Sequence, residues 1–198
     1  MPMTDFIALL ALVTAMSFTP GPNTTLAASL GANGGWRAAW RFCLGVPVGW
    51  VLLMLACSAG VGALLDAHPA LRGALKLGGL AYLVWLAWRL AGSARLSEAD
   101  PQRLQVGFWQ GAMLQAVNIK AWLAALLVVA GWVAPGPLAE RLLVVTPVMA
   151  VYAFASNATY AVVGAVLRPW LAQGKRLLWF NRGMALVLLA TALWMLKA

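Results

Sequence analysis

Two polar clusters interrupt long apolar stretches of the chain, and their residue types could bind a small charged solute. One covers residues 19–25 and reads TPGPNTT, and the other covers residues 115–120 and reads QAVNIK. Neither cluster pairs a nucleophile with a base, and the chain has no phosphate-binding Gly-Lys-Ser/Thr motif. The clusters therefore predict a binding site rather than an enzyme.

The first cluster predicts a broken helix. Pro20 and Pro22 lack amide donors and Gly21 tolerates unusual dihedral angles, so a continuous helix is disfavoured there. In a membrane, such a break survives only inside protein or beside a water-filled cavity. Asn23 and Thr24 would then begin a new half-helix, whose free amides and positive dipole end suit a substrate carboxylate. The alternative is a simple kink or a loop between two short helices.

The second cluster contains Lys120, the only charge in its apolar segment. A lysine at the centre of a membrane helix costs about 3 kcal/mol unless it snorkels, is paired or faces a cavity. No Asp or Glu lies deep in the apolar segments to pair with it. Lys120, with Asn118 beside it, is therefore predicted to bind an anionic ligand or to titrate. The alternative is that the segment divides around Lys120, which would then lie at the membrane interface.

Asn157 is a third candidate, with Ser156 and Thr159 nearby. An asparagine in a membrane helix acts either as a hydrogen-bonding contact between helices or as a ligand, and both interpretations stay open. His68 is the only histidine, so a His-based metal cluster is not expected, and no cofactor is predicted.

The composition predicts a membrane protein. Hydrophobic residues make up 63% of the 198 residues and charged residues 10%, whereas a soluble domain is about a quarter charged. Charge-free runs such as residues 42–65 exceed the length of a membrane span. We predict one polytopic domain, residues 1–198, with six apolar segments at about residues 5–35, 39–65, 71–90, 106–132, 142–167 and 181–197.

The net charge of +9 is interpreted as membrane topology rather than nucleic-acid binding. Nine Lys and Arg residues follow segments one, three and five, and four lie on the opposite side. Because cytoplasmic loops carry the excess of positive charge, both termini are predicted to lie outside, with anionic membrane lipid as a partner.

The two halves of the chain, about residues 1–92 and 104–198, resemble each other in layout. Each has an over-long first segment with an irregular polar feature, then a long plain helix, then a shorter one. Because three helices per half is an odd number, the second half must enter the membrane from the opposite side. The predicted fold class is all-α, with six transmembrane helices as two inverted three-helix repeats and a discontinuous first helix.

These residues resemble the LysE/RhtB family of amino-acid exporters. The similarity lies in residues 17–24, the loop at 31–36, Gly45 with Gly49, residues 76–83 and residues 115–123, and covers nearly the whole chain. It implies six helices, secondary active export coupled to protons, and substrates such as threonine, homoserine, lysine or leucine.

One departure concerns the fourth helix, where the family motif Asn-Pro-Lys is replaced by Asn118-Ile119-Lys120. Isoleucine restores an amide donor. The second half is therefore expected to be less interrupted than the first, and the first break is expected to supply most backbone contacts to substrate.

Together these features predict an exporter of neutral amino acids in the bacterial inner membrane, because no acidic group is visible for a second substrate amine. The alternatives are export of another small solute or ion, or redox transfer through cysteines. The redox alternative is weak because Cys43 and Cys57 lie about 21 Å apart on one helix. A homo-oligomer is left open. The predicted substrate-binding residues are Pro20, Gly21, Pro22, Asn23, Thr24, Asn118, Lys120 and Asn157.

Overall fold

The computed structural model describes residues 1–92 and 106–197. Over these ranges the chain forms nine α-helices and one π-helical turn, Val129–Val133, which continues α7. The helices are α1 Met3–Phe18, α2 Pro22–Gly34, α3 Trp36–Ser58, α4 Val61–Ala67, α5 Pro69–Ala91, α6 Phe108–Val117, α7 Ile119–Val128, α8 Leu138–Leu171 and α9 Arg176–Lys197.

The described helices provide up to six membrane spans, by length and composition. Helices α3, α5, α8 and α9 each qualify alone, and the bent pairs α1–α2 and α6–α7 qualify when each pair counts as one span. The predicted helical class and the discontinuous first helix are confirmed. The second predicted segment is divided, because Gly60 adopts a φ of +89° that ends α3 early and begins α4.

The expectation of a less interrupted second half is wrong. Helices α6 and α7 bend by 73°, whereas α1 and α2 bend by 54°. Asn118 is extended between them, with φ −91° and ψ 98°. A proline is not required there because the indole N–H of Trp122 donates a 2.9 Å hydrogen bond to the carbonyl of Ala116. That carbonyl would otherwise lose its helical partner at the break.

Two apolar clusters lie on either side of the breaks. The larger cluster joins α2, α3, α5, α6, α8 and α9 around side chains such as Phe42 and Leu114. The other cluster joins α1, the end of α3, α7 and the start of α8 around Leu9 and Met54. The buried polar residues Thr24, Gln115 and Asn157, from α2, α6 and α8, lie at or beside the breaks and form a polar layer between the two clusters.

Close backbone packing fixes α2 and α6. A Cβ on Gly31 of α2 would collide with the carbonyl of Ala161 on α8, and one on Gly45 of α3 would collide with the carbonyl of Phe108 on α6. Gly164 of α8 makes the same kind of contact with α2. Small residues permit such contact in membrane proteins, where van der Waals packing holds helices together. These contacts hold the two half-helices that meet at the polar layer.

Candidate functional site

A central cavity of about 50 Å³ lies where the two breaks meet. It contains seven of the eight predicted substrate-binding residues, and Pro20 is the exception because its side chain is exposed. Its lining residues are Met16, Ser17, Thr19, Gly21, Pro22, Asn23, Thr24, Trp50, Asn118, Lys120, Ala121, Ala124, Met149, Ala153, Ser156 and Asn157. The fold thus gathers residues from α1, α2, α3, α7 and α8 and from the breaks.

Lys120 links the second break to the first. Its ammonium donates a 3.0 Å hydrogen bond to the carbonyl of Thr19, which lies at the end of α1. A Cβ on Gly21 would lie 3.3 Å from the Lys120 Nζ, so a glycine at this position leaves room for the ammonium. The first turn of α2 begins at the next residue, where helical amides have no acceptor within the helix. A positive charge and a positive helix end therefore lie side by side.

Gln115 and Asn23 form a second link between the breaks. The Asn23 amide donates to Gln115 Oε1 at 2.9 Å, and the Gln115 amide donates to Asn23 Oδ1 at 3.1 Å. Gln115 also donates to the carbonyl of Gly111 at 2.9 Å. A Cβ on Gly49 would lie 2.6 Å from the Gln115 Cγ, so Gly49 makes space for this side chain. Gln115 was not among the predicted site residues, although it is a polar residue in an apolar segment.

Asn118 and Asn157 supply unpaired acceptors. Both side chains line the cavity and are 3% and 2% exposed, and neither Oδ1 has a hydrogen-bond partner among the described residues. The Asn157 amide donates to the carbonyl of Ala153 at 2.7 Å, which leaves its oxygen as the free group. Leaving a buried acceptor unpaired costs about 1–3 kcal/mol. Both oxygens are therefore well suited to accept from a cationic ligand group.

Aromatic donors satisfy carbonyls that the breaks release. Tyr160 of α8 donates a 2.9 Å hydrogen bond to the carbonyl of Phe18, as Trp122 does for Ala116 at the other break. Within the first break, the Gly21 N–H donates to Thr24 Oγ1 at 3.0 Å. Such partners are needed where irregular backbone lies at membrane depth. Tyr160 was missed in the sequence because its partner is 142 residues away.

The remaining wall is apolar and small. Trp50, Met16 and Met149 contribute large side chains, and none of the described lining residues is acidic. The described residues also contain no group of three or more His, Cys, Asp or Glu side chains that could hold a metal ion. By this measure a water molecule needs about 10–15 Å³, so the cavity of about 50 Å³ has room for a few water molecules.

Comparison with known proteins gives a consistent result. The chain matches the family model described as "LysE type translocator" over residues 14–197. A "Cysteine/O-acetylserine efflux protein" of Escherichia coli O139:H28 (strain E24377A / ETEC) is 34% identical over 182 residues, which cover 91% of each chain. Proteins of the same name from Escherichia coli (strain K12) and Shigella flexneri serotype 5b (strain 8401) are 37% identical over 124 residues, 63% of this chain and 62% of theirs. No solved structure matches the chain.

Proposed function

The chain belongs to the LysE-type translocator family, and from this premise we propose that it exports a small neutral amino acid by secondary active transport. Its relatives are amino-acid efflux proteins rather than enzymes. The names of these relatives favour cysteine and O-acetylserine as substrates, beside threonine, homoserine and leucine. The single observation that carries the proposal is the cavity in which the Lys120 ammonium meets the first break.

The substrate carboxylate binds between Lys120 and the start of α2. The Lys120 ammonium has one hydrogen bond to a carbonyl at 3.0 Å and can donate two more. The first amides of α2, at Asn23 and Thr24, add donors and a favourable dipole. A charge-assisted hydrogen bond is about twice as strong as a neutral one, so the carboxylate competes well for the ammonium.

The substrate ammonium binds the two unpaired amide oxygens. Asn118 and Asn157, which provide these oxygens, line the same cavity as Lys120. One zwitterion can therefore bind there with both of its charges paired. The side chain then lies against Trp50, Met16 or Met149. A second amine would find no carboxylate among the described lining residues, which supports neutral over basic substrates.

Transport proceeds by rocking of the two inverted repeats, residues 1–92 and 104–198, about this site. Spans pair as first with fifth, second with fourth, and third with sixth, and exchange of the two halves reproduces this pairing. The pairing supports an internal two-fold relationship of the kind that secondary transporters use. In this proposal both termini lie outside. The proton gradient drives export, and Lys120, the ionisable side chain in the described cavity lining, is the group that can carry the proton.

An efflux assay tests the function. Proteoliposomes are loaded separately with cysteine, O-acetylserine, threonine, homoserine, leucine or lysine, and efflux is followed with and without a proton gradient. We expect gradient-dependent efflux of one or more neutral substrates and weaker efflux of lysine. Lys120→Met should abolish it, while Lys175→Met, at an exposed lysine, should not. Wild-type efflux by Lys120→Met would remove Lys120 from the mechanism, and no efflux of any amino acid would refute the function.

A further inference from the structure

A second cavity, separate from the central site, lies between the α4–α5 hairpin and α7. Its volume is about 220 Å³, more than four times that of the central cavity. One wall carries two basic side chains, Arg72 and Lys76 of α5. The facing wall is apolar and belongs to α7, with Ile119, Trp122, Leu123 and Leu126.

The basic residues lie near the end of a membrane span. Arg72 and Lys76 are one helical turn apart, so they share one face of α5. They follow the start of α5 at Pro69 by three and seven residues, which corresponds to depths of about 5 and 10 Å along the helix axis. Lys76 is half-buried, and its flexible stem can extend toward the membrane surface. Both charges can therefore reach the depth at which lipid phosphates lie.

We propose that this cleft binds an anionic phospholipid, with the phosphate at Lys76 and Arg72 and an acyl chain against α7. In the proposed topology the cleft opens toward the outer leaflet, where a basic group at headgroup depth attracts an anionic lipid phosphate by the same Coulomb interaction. The apolar wall matches an acyl chain, whereas a free phosphate ion would leave this wall uncovered. A zwitterionic amino acid is also a poor match, because the described lining offers its ammonium neither an acidic nor an amide side chain.

Helix α7 contributes lining residues to both this cleft and the central cavity. Ile119 and Trp122 line the cleft, Trp122 caps the second break, and Lys120 lies between them. A lipid in the cleft thus contacts the half-helix that carries the Lys120 ammonium. Bound lipid should therefore hold α7 in the position seen here.

Native mass spectrometry tests the proposal. The full-length protein in detergent is incubated with phosphatidylglycerol or phosphatidylcholine of identical acyl chains, and retained lipid is counted. Wild type should retain phosphatidylglycerol in preference. Lys76→Gln should lower this retention roughly fivefold, as expected for one interfacial cation, and Lys76→Gln with Arg72→Gln should lower it further. Lys76→Arg should restore it.

The controls separate charge at the cleft from total charge and from misfolding. Lys175→Gln removes an exposed lysine elsewhere and should retain lipid as wild type does. Far-UV circular dichroism and gel filtration of each variant report folding, and Lys76→Arg decides the case if the double variant is unfolded. Equal retention of both lipids by wild type, unchanged retention by Lys76→Gln, or displacement of the lipid by inorganic phosphate alone would each overturn the proposal.

Discussion

The two half-helices of each broken span are held in different ways. Helix α2 buries ten of its 13 residues, whereas α1 buries two of 16. Helices α6 and α7 bury four residues each, but α6 meets α3 backbone to backbone at Gly45, while Gly62 of α4 meets α7 at the side chain of Leu126. One end of the molecule, built on α2 and α6, is thus packed through main-chain contact. The other, built on α1 and α7, rests on side chains.

Polar contacts follow the same division. At the end of α2, Asn33 and Asn181 of α9 form a reciprocal amide pair with distances of 2.9 and 3.0 Å. At the opposite end, the Thr14 hydroxyl of α1 donates to the carbonyl of Leu10 at 2.7 Å within its own helix, and it lies 3.3 Å from the hydroxyl of Tyr152 on α8. The α2–α6 end is therefore the more tightly packed end of the molecule, and we expect α1 and α7 to move more easily.

The largest effect on folding stability is expected from adding a methyl group at the packed end. Gly31→Ala would place a Cβ against the Ala161 carbonyl, and overpacking of this kind costs about 1–3 kcal/mol. Gly131→Ala, beside α7, is the matched control because a Cβ there meets nothing within 4 Å. Thermal unfolding in detergent should show a clear loss for Gly31→Ala and little change for Gly131→Ala. Equal behaviour of the two variants would contradict the difference in packing.

The next prediction concerns substrate affinity, through the two amide oxygens that accept hydrogen bonds in the cavity. Asn118→Leu and Asn157→Leu each remove an acceptor from the substrate ammonium, and a hydrogen bond to a charged group is worth about 1.5–3 kcal/mol. We expect the KM for efflux to rise by about tenfold or more in each variant. Thr159→Val, at an exposed residue on α8, is the control. A normal KM in both asparagine variants would exclude these oxygens from substrate binding.

A smaller effect is expected from removing the Asn33–Asn181 amide pair of the packed end. Hydrogen bonds between membrane helices contribute about 0.6 kcal/mol on average. Asn33→Ala should therefore raise the equilibrium constant for opening of this end by a few-fold. A single reporter cysteine at Ser29→Cys, in a background lacking Cys43 and Cys57, would measure it by maleimide labelling. Labelling should accelerate with Asn33→Ala and stay unchanged with Thr14→Val. Faster labelling with Thr14→Val alone would reverse the assignment of the two ends.

The smallest effect is expected at Gly21. A Cβ would lie 3.3 Å from the Lys120 Nζ and would displace it by a few tenths of an ångström. The backbone tolerates alanine because Gly21 is extended, with φ −171°. Efflux by Gly21→Ala should fall by about twofold to fivefold, in line with a weakened hydrogen bond. Gly183→Ala, with open space at its Cβ, should transport normally.

The sequence predicted those parts of the site that depend on local chemistry. Pro20 and Pro22 remove donors wherever they stand in a helix, so the first break could be placed without any knowledge of its neighbours. Lys120 was recognised because a charge in an apolar segment needs a special environment. Their meeting at the Thr19 carbonyl is a long-range contact that neither residue predicts alone.

The parts that were missed depend on partners far along the chain. The bend at Asn118 exceeds that of the proline-rich break, and Trp122 replaces a lost helical donor there, which the isoleucine at position 119 does not reveal. The amide pair of Gln115 with Asn23 joins residues 92 positions apart. A single sequence carries no local pattern for such pairs.

The most direct test of carboxylate binding by Lys120 compares substrates with and without a carboxylate. Efflux of cysteine is measured in competition with cysteamine, which lacks the carboxylate, for wild type and for Lys120→Met. We expect wild type to discriminate strongly against cysteamine, and Lys120→Met to lose cysteine efflux so that cysteine is no longer favoured over cysteamine. If Lys120→Met still prefers cysteine as wild type does, the carboxylate is recognised elsewhere and the proposed site is contradicted.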